Sequence, residues 1–325
     1  EQPKFLGQVI HLGEAQDWDA QLRRLLHEQA PFEAGAVSDD GAVRSVRRWC
    51  VAQEGEAAAS RALWKRGGVY LVSGGLGGIA HLLCRLMASQ APGATVVLFG
   101  RGALDERRQA TLAALRGLEL HVEYRACDVA DAQAVQALVR GIRATHGNID
   151  GVIHCAGVVR DGYALTKSLV DIGQVLDPKI KGAIQLDTAT ADCALDYFLC
   201  FSSVVGVLGN AGQGDYAIAN SFLGYFAEHR AGLVRQGLRS GRSLAIDWPH
   251  WTDGGMGVND ASERALKALG IGMLDTNEGL EMLQRCMALG GSHYLVFAGD
   301  LAIVDGYLNG ERDAAAPAPA TKVDT

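Results

Sequence analysis

The 325 residues include 48% hydrophobic and 21% charged side chains, with a formal charge of −7. This is a folding chain, long enough for one large domain plus a smaller piece, and it lacks the basic balance that nucleic-acid binding requires. The longest apolar runs, at 69–73 and 95–99, are strand-sized and fall short of the ~18 residues a membrane helix needs, so a cytoplasmic enzyme off the membrane is expected.

Seven cysteines have no Cys-x-x-Cys pair among them and are odd in number, which argues against a zinc site or a disulfide framework. They read as small buried thiols, and no metal is expected. The chain has no initiating Met or signal sequence, and its end at 313–322 is rich in Ala and Pro like a linker. Both ends read as cuts in a longer polypeptide.

Residues 1–66 offer one strand (8–12), one amphipathic helix (19–29) and a hairpin near 39–48 with Asp40-Gly41 at its turn. That is too little for a core of its own, so it reads as a small N-terminal appendage, part of a structural subdomain. From residue 67 to 308 strand and helix signals alternate. Strands are expected at 69–73, 94–99, 120–124, 150–154, 197–202, 243–247 and 294–297. Helices are expected after the first strand, at 105–115, at 131–145 and at 214–235. Near-continuous apolar strands separated by helices mean an α/β fold with a doubly wound parallel sheet of Rossmann type. Residues 309–325 are read as a linker tail.

The first strand runs into Ser73-Gly74-Gly75-Leu76-Gly77-Gly78-Ile79-Ala80 and then a helix. Glycines at this place let the backbone approach a pyrophosphate, and a helix N-terminus adds amide donors. An NAD site wants an acid about twenty residues on, but none lies between Gln90 and Leu104, and Arg101 follows the second strand. A guanidinium suits a ribose phosphate, so NADPH is the expected cofactor.

Tyr216 is followed by Asn220 four residues on and preceded by Ser203 thirteen residues earlier, while Lys179 stands 37 residues before it in Asp177-Pro178-Lys179. The Ser–Tyr spacing resembles short-chain dehydrogenases. Asn in place of their usual Lys, with the Lys moved upstream, resembles ketoreductase domains of polyketide synthases and animal-type fatty acid synthases. The likeness runs from about Gly68 to Gly306. It includes Phe99-Gly100-Arg101, Cys127-Asp128-Val129, His154-Cys155-Ala156-Gly157, Phe201-Ser202-Ser203 and Trp248-Pro249-His250-Trp251, followed by Gly254-Gly255-Met256. The last of these looks most like polyketide lines whose acyltransferases act in trans.

The resemblance implies that Tyr216 gives a proton to a carbonyl oxygen that Ser203 also bonds. Lys179 would contact the nicotinamide ribose and draw the phenol, with its free pKa of ~10, down towards working pH. Asn220 would orient the lysine or a water. Asp128 and Val129 would border the adenine, Ala156 and Gly157 the ribose, and Pro249, with Trp248 and Trp251, the nicotinamide and a lid over 252–272. Lys181 is read as solvent-facing and His250 as a core or surface residue. The implied reaction reduces a β-ketoacyl thioester, carried on the phosphopantetheine arm of an acyl carrier protein among neighbouring polyketide synthase domains. Alternatives are a non-reducing scaffold domain and a stand-alone carbonyl reductase.

The resemblance also bears on stereochemistry. Val159-Arg160-Asp161 stands where B-type domains carry Leu-Asp-Asp, so the informative Asp161 is present. Leu208 stands where A-type domains carry Trp, and Ile218 where epimerising B-type domains carry Pro. Together these imply a D-configured hydroxyl and no epimerisation.

Overall fold

The computed structural model describes residues 10–12, 18–26, 37–39, 44–52, 63–255, 270 and 272–309. They fall into two compact units, one within Glu1–Gln53, Ala265–Ile271 and Gly299–Thr325, the other within Glu54–Arg264 and Gly272–Ala298.

The smaller unit holds β1 (Ile10–Leu12), α1 (Trp18–Leu26), β2 (Val37–Asp39) and β3 (Arg44–Val46). β1 pairs parallel to β2, and β2 pairs antiparallel to β3 with Asp39 opposite Arg44. The hairpin expected near 39–48 therefore has its strands about two residues earlier, and its Asp40-Gly41 turn lies outside the described residues. A helix over Leu301–Asn309 belongs to the same unit: Asn309 Nδ2 donates to the Trp49 carbonyl at 2.9 Å and its Oδ1 accepts from the Trp49 amide at 3.1 Å.

The larger unit contains, in chain order, β4 (Val69–Ser73), α2 (Gly78–Gln90), β5 (Thr95–Gly100), α3 (Glu106–Arg116), β6 (His121–Ala126), α4 (Ala132–His146) and β7 (Gly151–His154). It continues through α5 (Leu169–Ala189), β8 (Tyr197–Ser203), α6 (Val205–Leu208), α7 (Gly214–Arg235), β9 (Arg242–Trp248), α8 (Thr276–Ala288) and β10 (His293–Leu295). The seven strands are all parallel, in the order β10-β9-β8-β7-β4-β5-β6. This is the doubly wound sheet that the alternating pattern implied. α5, α6 and α8 were not anticipated.

Both faces of the sheet are covered, and strand pleating shows how. Along β4, Tyr70 and Val72 point into a core with Leu83 and Met87 of α2, Leu115 of α3 and Leu283 of α8. Val69 and Leu71 point the other way, to Val139 of α4, Leu186 of α5 and Leu223 of α7. Burial on both sides explains why these strands read as unbroken apolar runs. The strand order reverses between β4 and β7, and the crevice beyond the carboxyl ends of those strands is where such sheets hold ligands. Among the described residues no helix is long and apolar enough to cross a membrane.

One polar cluster fastens α5, α7 and β9. Arg230, 1% exposed, gives Nε to Asp187 Oδ1 at 2.7 Å, Nη1 to Ser243 Oγ at 2.9 Å and Nη2 to the Ser240 carbonyl at 3.0 Å. Its guanidinium lies 4.7 Å from the Phe198 ring centroid. Removing one partner of a buried pair strands the other charge, so Asp187→Ala should cost about 3–5 kcal/mol in urea unfolding. A loss within 1 kcal/mol, roughly what an exposed pair is worth, would show that Arg230 finds other partners.

Candidate active site

At the carboxyl ends of β4, β5, β6 and β7 lies a cleft of about 700 Å³. Gly74, Gly75, Leu76, Gly77, Arg101, Asp128, Val129, Ala156 and Gly157, all expected to hold a cofactor, line it. Ser73, Gly78 and Pro249 are not in its wall. Gly74 and Gly75 have φ of +95° and +59°, a conformation that favours glycine, and a Cβ on Gly74 would sit 3.1 Å from the Cys155 carbonyl carbon. The turn opens α2, whose N-cap Gly77 has no side-chain cap. Its first amides thus suit a phosphate group. A Cβ at Gly78 would lie 2.6 Å from the Gly254 carbonyl carbon, so this glycine admits the 254–255 turn rather than a ligand.

The far end of the cleft is more charged than the sequence suggested. Arg107, Arg108 and Asp105 line it beside Arg101. Asp105 stands one residue beyond the stretch found free of acids. Its carboxylate caps α3 through the Arg108 amide at 2.8 Å and pairs with the Arg108 guanidinium at 2.7 Å. Three guanidiniums and one paired carboxylate leave this end net positive. Asp128 accepts from the Ala130 amide at 3.0 Å.

Ser73 is fully buried, and its hydroxyl serves the frame. Its Oγ accepts from the Cys155 and Ala156 amides, both at 3.1 Å, and lies 2.7 Å from His154 Nδ1. With both lone pairs taken, the hydroxyl proton goes to Nδ1, so the imidazole proton is on Nε2, facing the Lys179 carbonyl at 3.4 Å. Burial, then the Lys179 charge, push the His154 pKa down to about 3, which keeps the ring neutral.

Lys179 lies in the middle of α5, one residue after Pro178 of the cleft wall, and is 4% exposed. Its Nζ donates to the Phe201 carbonyl at 2.9 Å and stands 5.9 Å from the Tyr216 ring centroid. Gly157 leaves it room, since a Cβ there would meet Lys179 Cε at 2.8 Å. Tyr216, in the first turn of α7, is 6% exposed. Burial raises its pKa, while hydrogen bonds with the Ser203 and Asn220 side chains pull it down. The lowering expected from Lys179 is not among the pulls on the phenol. Asn220, fully buried, donates Nδ2 to the Tyr216 carbonyl at 2.7 Å. Ser203 Oγ accepts from the Val205 amide at 3.3 Å. Lys181 is exposed and pairs with Asp177 at 2.9 Å.

Asp161 is exposed on the loop between β7 and α5, its Oδ1 accepting from Gln213 Nε2 at 2.7 Å. Leu208, 8% exposed, ends α6. Trp248 and Trp251 are buried edge to face, 4.9 Å between centroids, and Pro249 between them is also buried. His250 is half-buried. Met256 and most of the expected lid lie outside the described residues. Of the cysteines, Cys50 is exposed, contrary to expectation, and Cys155 is half-buried. A buried ion pair between Lys167 and Asp215, beside Tyr216, had no counterpart in the sequence reading.

Residues 68–253 match the family model described as KR domain. Polyketide synthase PksL of Bacillus subtilis (strain 168) is 36% identical over 92% of this chain and 7% of its own length, and polyketide synthase PksN of the same organism is 34% identical over 93% and 6%. The chain thus spans less than a tenth of these relatives. A ketoreductase domain from the bacillaene assembly line superposes with a TM-score of 0.81 at 33% identity, over 93% of this chain and 72% of that one. An A1-type ketoreductase superposes with a TM-score of 0.77 at 28% identity, over 94% and 63%.

The buried Lys179 ammonium carries a pH signature. Burial lowers its pKa from 10.5 to about 8, against the opposing pull of Cys155, Cys200 and Asp247. Between pH 10.5 and about 8 the unfolded chain holds this proton more often than the folded one. The contribution to stability is therefore full above pH 10.5 and is lost as pH falls to about 8. The unfolding free energy of wild type minus that of Lys179→Met should rise from pH 8 to 10.5. A flat or falling difference in urea titrations would show that the ammonium is not desolvated in the folded protein.

Proposed function

The chain belongs to the KR domain family, the ketoreductase domains of polyketide synthases, and from that premise we propose that it reduces a β-ketoacyl thioester to the β-hydroxyacyl thioester with NADPH. The observation that carries this reading is the convergence of Ser203, Asn220 and Lys179 on Tyr216, beside a glycine-lined cleft. The thioester would ride on an acyl carrier protein delivered within a larger synthase. NADPH is favoured over NADH because the three arginines match a ribose phosphate, and the acid among them is already paired.

The cleft fits a dinucleotide: two glycines in left-handed turns and an uncapped helix N-terminus would hold the pyrophosphate, with Arg101 and its neighbours at the ribose phosphate. When bound, the reduced nicotinamide supplies the hydride. Tyr216 holds the proton that the carbonyl oxygen must gain. Its raised pKa keeps the phenol protonated near neutral pH, the form needed for reduction. Ser203 bonds the same oxygen. As the proton leaves, negative charge grows on Tyr216, and the Lys179 ammonium and Asn220 amide lie close enough to offset it. An ammonium has three N–H donors and Phe201 takes one, so Lys179 keeps donors for a ribose hydroxyl beside Gly157. Asp161 marks the side of substrate entry, and Leu208 offers no indole to guide the opposite approach.

Tyr216→Phe should keep its fold and NADPH affinity and lose reduction of a β-ketoacyl thioester by roughly 10²–10⁴-fold, followed by nicotinamide absorbance. Turnover near wild type would remove Tyr216 from the reaction. Chiral chromatography of the wild-type product should give the D-β-hydroxyacyl thioester, and a predominantly L product would overturn the assignment made from Asp161 and Leu208.

A further inference from the structure

Two segments frame Tyr216: the loop at 155–168 between β7 and α5, which carries Asp161, and the run at 209–216 that leads from α6 into α7. Three polar tethers join them. The Gly162 amide donates to the Gly212 carbonyl at 2.9 Å, Gln213 Nε2 donates to Asp161 Oδ1 at 2.7 Å, and Lys167 Nζ meets Asp215 Oδ1 at 2.6 Å. The loop has little apolar anchorage of its own, since Val159, Tyr163 and Leu165 are 38%, 57% and 86% exposed. At its start Cys155 and Ala156 pack against the two main cores and Val158 against the small cluster around Tyr216. Beyond Val158 the three tethers are what join the loop to the run before Tyr216.

The third tether differs from the other two. The Lys167 and Asp215 side chains are only 7% and 3% exposed, so both charges have left water. Asp215 Oδ2 is buried with no hydrogen-bond partner among the described residues. A pair with one oxygen unsatisfied is a poor source of stability, because desolvation offsets most of the attraction. What it supplies is geometry. The oxygen that holds Lys167 also accepts the backbone amide of Tyr216 at 2.9 Å, so loop and tyrosine share one atom.

We propose that the Lys167–Asp215 pair is a positioning device that fixes the Asp161 loop against Tyr216 and thereby sets the stereochemical selectivity of reduction. This rests on the reductase reading above but holds for either product configuration. With the pair intact, the ketone meets the tyrosine from one side of a fixed wall. With the pair broken, one of the three tethers is gone, the loop can shift relative to Tyr216, and both faces of the ketone can be presented.

The test compares full-length wild type, Lys167→Met and Asp215→Asn. The control is Lys65→Met, which breaks an ion pair to Asp196 (2.6 Å) at the amino-end edge of the sheet. The probe is a β-ketoacyl thioester of N-acetylcysteamine, with NADPH affinity from fluorescence, melting temperature, kcat, KM and product enantiomer ratio as readouts. Both site variants should keep their NADPH affinity, lose kcat by roughly 10- to 100-fold, the scale of an ångström-sized misplacement, and raise the share of the minor enantiomer about tenfold. The control should lower the melting temperature and leave the enantiomer ratio alone. Asp215→Asn keeps an oxygen for the Tyr216 amide and serves should Lys167→Met not fold. A folded site variant with the wild-type enantiomer ratio overturns the inference, as does a control that shifts the ratio equally. A wild type that binds NADPH but reduces nothing sinks the reductase reading instead, and this inference with it.

Discussion

The hydroxyl of Ser73 lies at the point where the sheet reverses its winding, and its one proton and two lone pairs are all in use. It closes the carboxyl ends of β4 and β7, which end in register at Ser73 and His154. Its lone pairs receive the amides of Cys155 and Ala156, so the chain leaving β7 is drawn against the glycine turn leaving β4. Its proton fixes the His154 tautomer, and the ring then reaches the carbonyl of Lys179. The wall of the cleft and the lysine beside the tyrosine are thus referred to one buried oxygen. None of these groups has water to fall back on, so losing one bond would leave a desolvated donor or acceptor, worth about 1–3 kcal/mol.

The same accounting explains which parts of the fold were legible in sequence. β4, β5 and β8 are buried on both faces and read as apolar runs with little ambiguity. α7 was legible over its whole length, Gly214–Arg235. α5 was not, because Pro178 stands in its interior, where a proline removes a backbone donor and costs about 3 kcal/mol against a helix. That local preference loses to packing, since Val175, Ala183 and Leu186 on one side of the helix are fully buried. Pairing in the smaller unit was harder to read. Its strands are three residues long, too short for a period to declare itself, and β1 pairs with β2 across the helix between them.

At the site, spacing located residues but not where their side chains point. Ser73 precedes the glycines as a cofactor residue would, yet the pleat turns it inward. The acid-free stretch ends at Leu104, one residue before Asp105, which does line the cleft. That carboxylate is paired with Arg108 three residues later, across the first turn of α3, which leaves the Arg101 and Arg107 charges uncancelled by it. A cap signal of Asp followed by Arg was present in the sequence and could have shown it. Lys167 and Asp215 could not be paired that way, because 48 residues separate them and only the folded loop brings them together.

The electrostatics of Tyr216 and Lys179 run in opposite senses and support one direction of chemistry. Burial raises the phenol and lowers the ammonium, so each is pushed towards its neutral form. A neutral phenol is a proton donor, which reduction requires. The lysine, lowered to about 8, still holds its charge at neutral pH and can meet the phenolate left when the proton goes. Its Nζ donates to the Phe201 carbonyl and lies 5.9 Å from the tyrosine ring centroid. An ammonium at that distance attracts a phenolate more strongly than a neutral phenol, which is the condition for a contact to act on the transition state more than on the bound substrate.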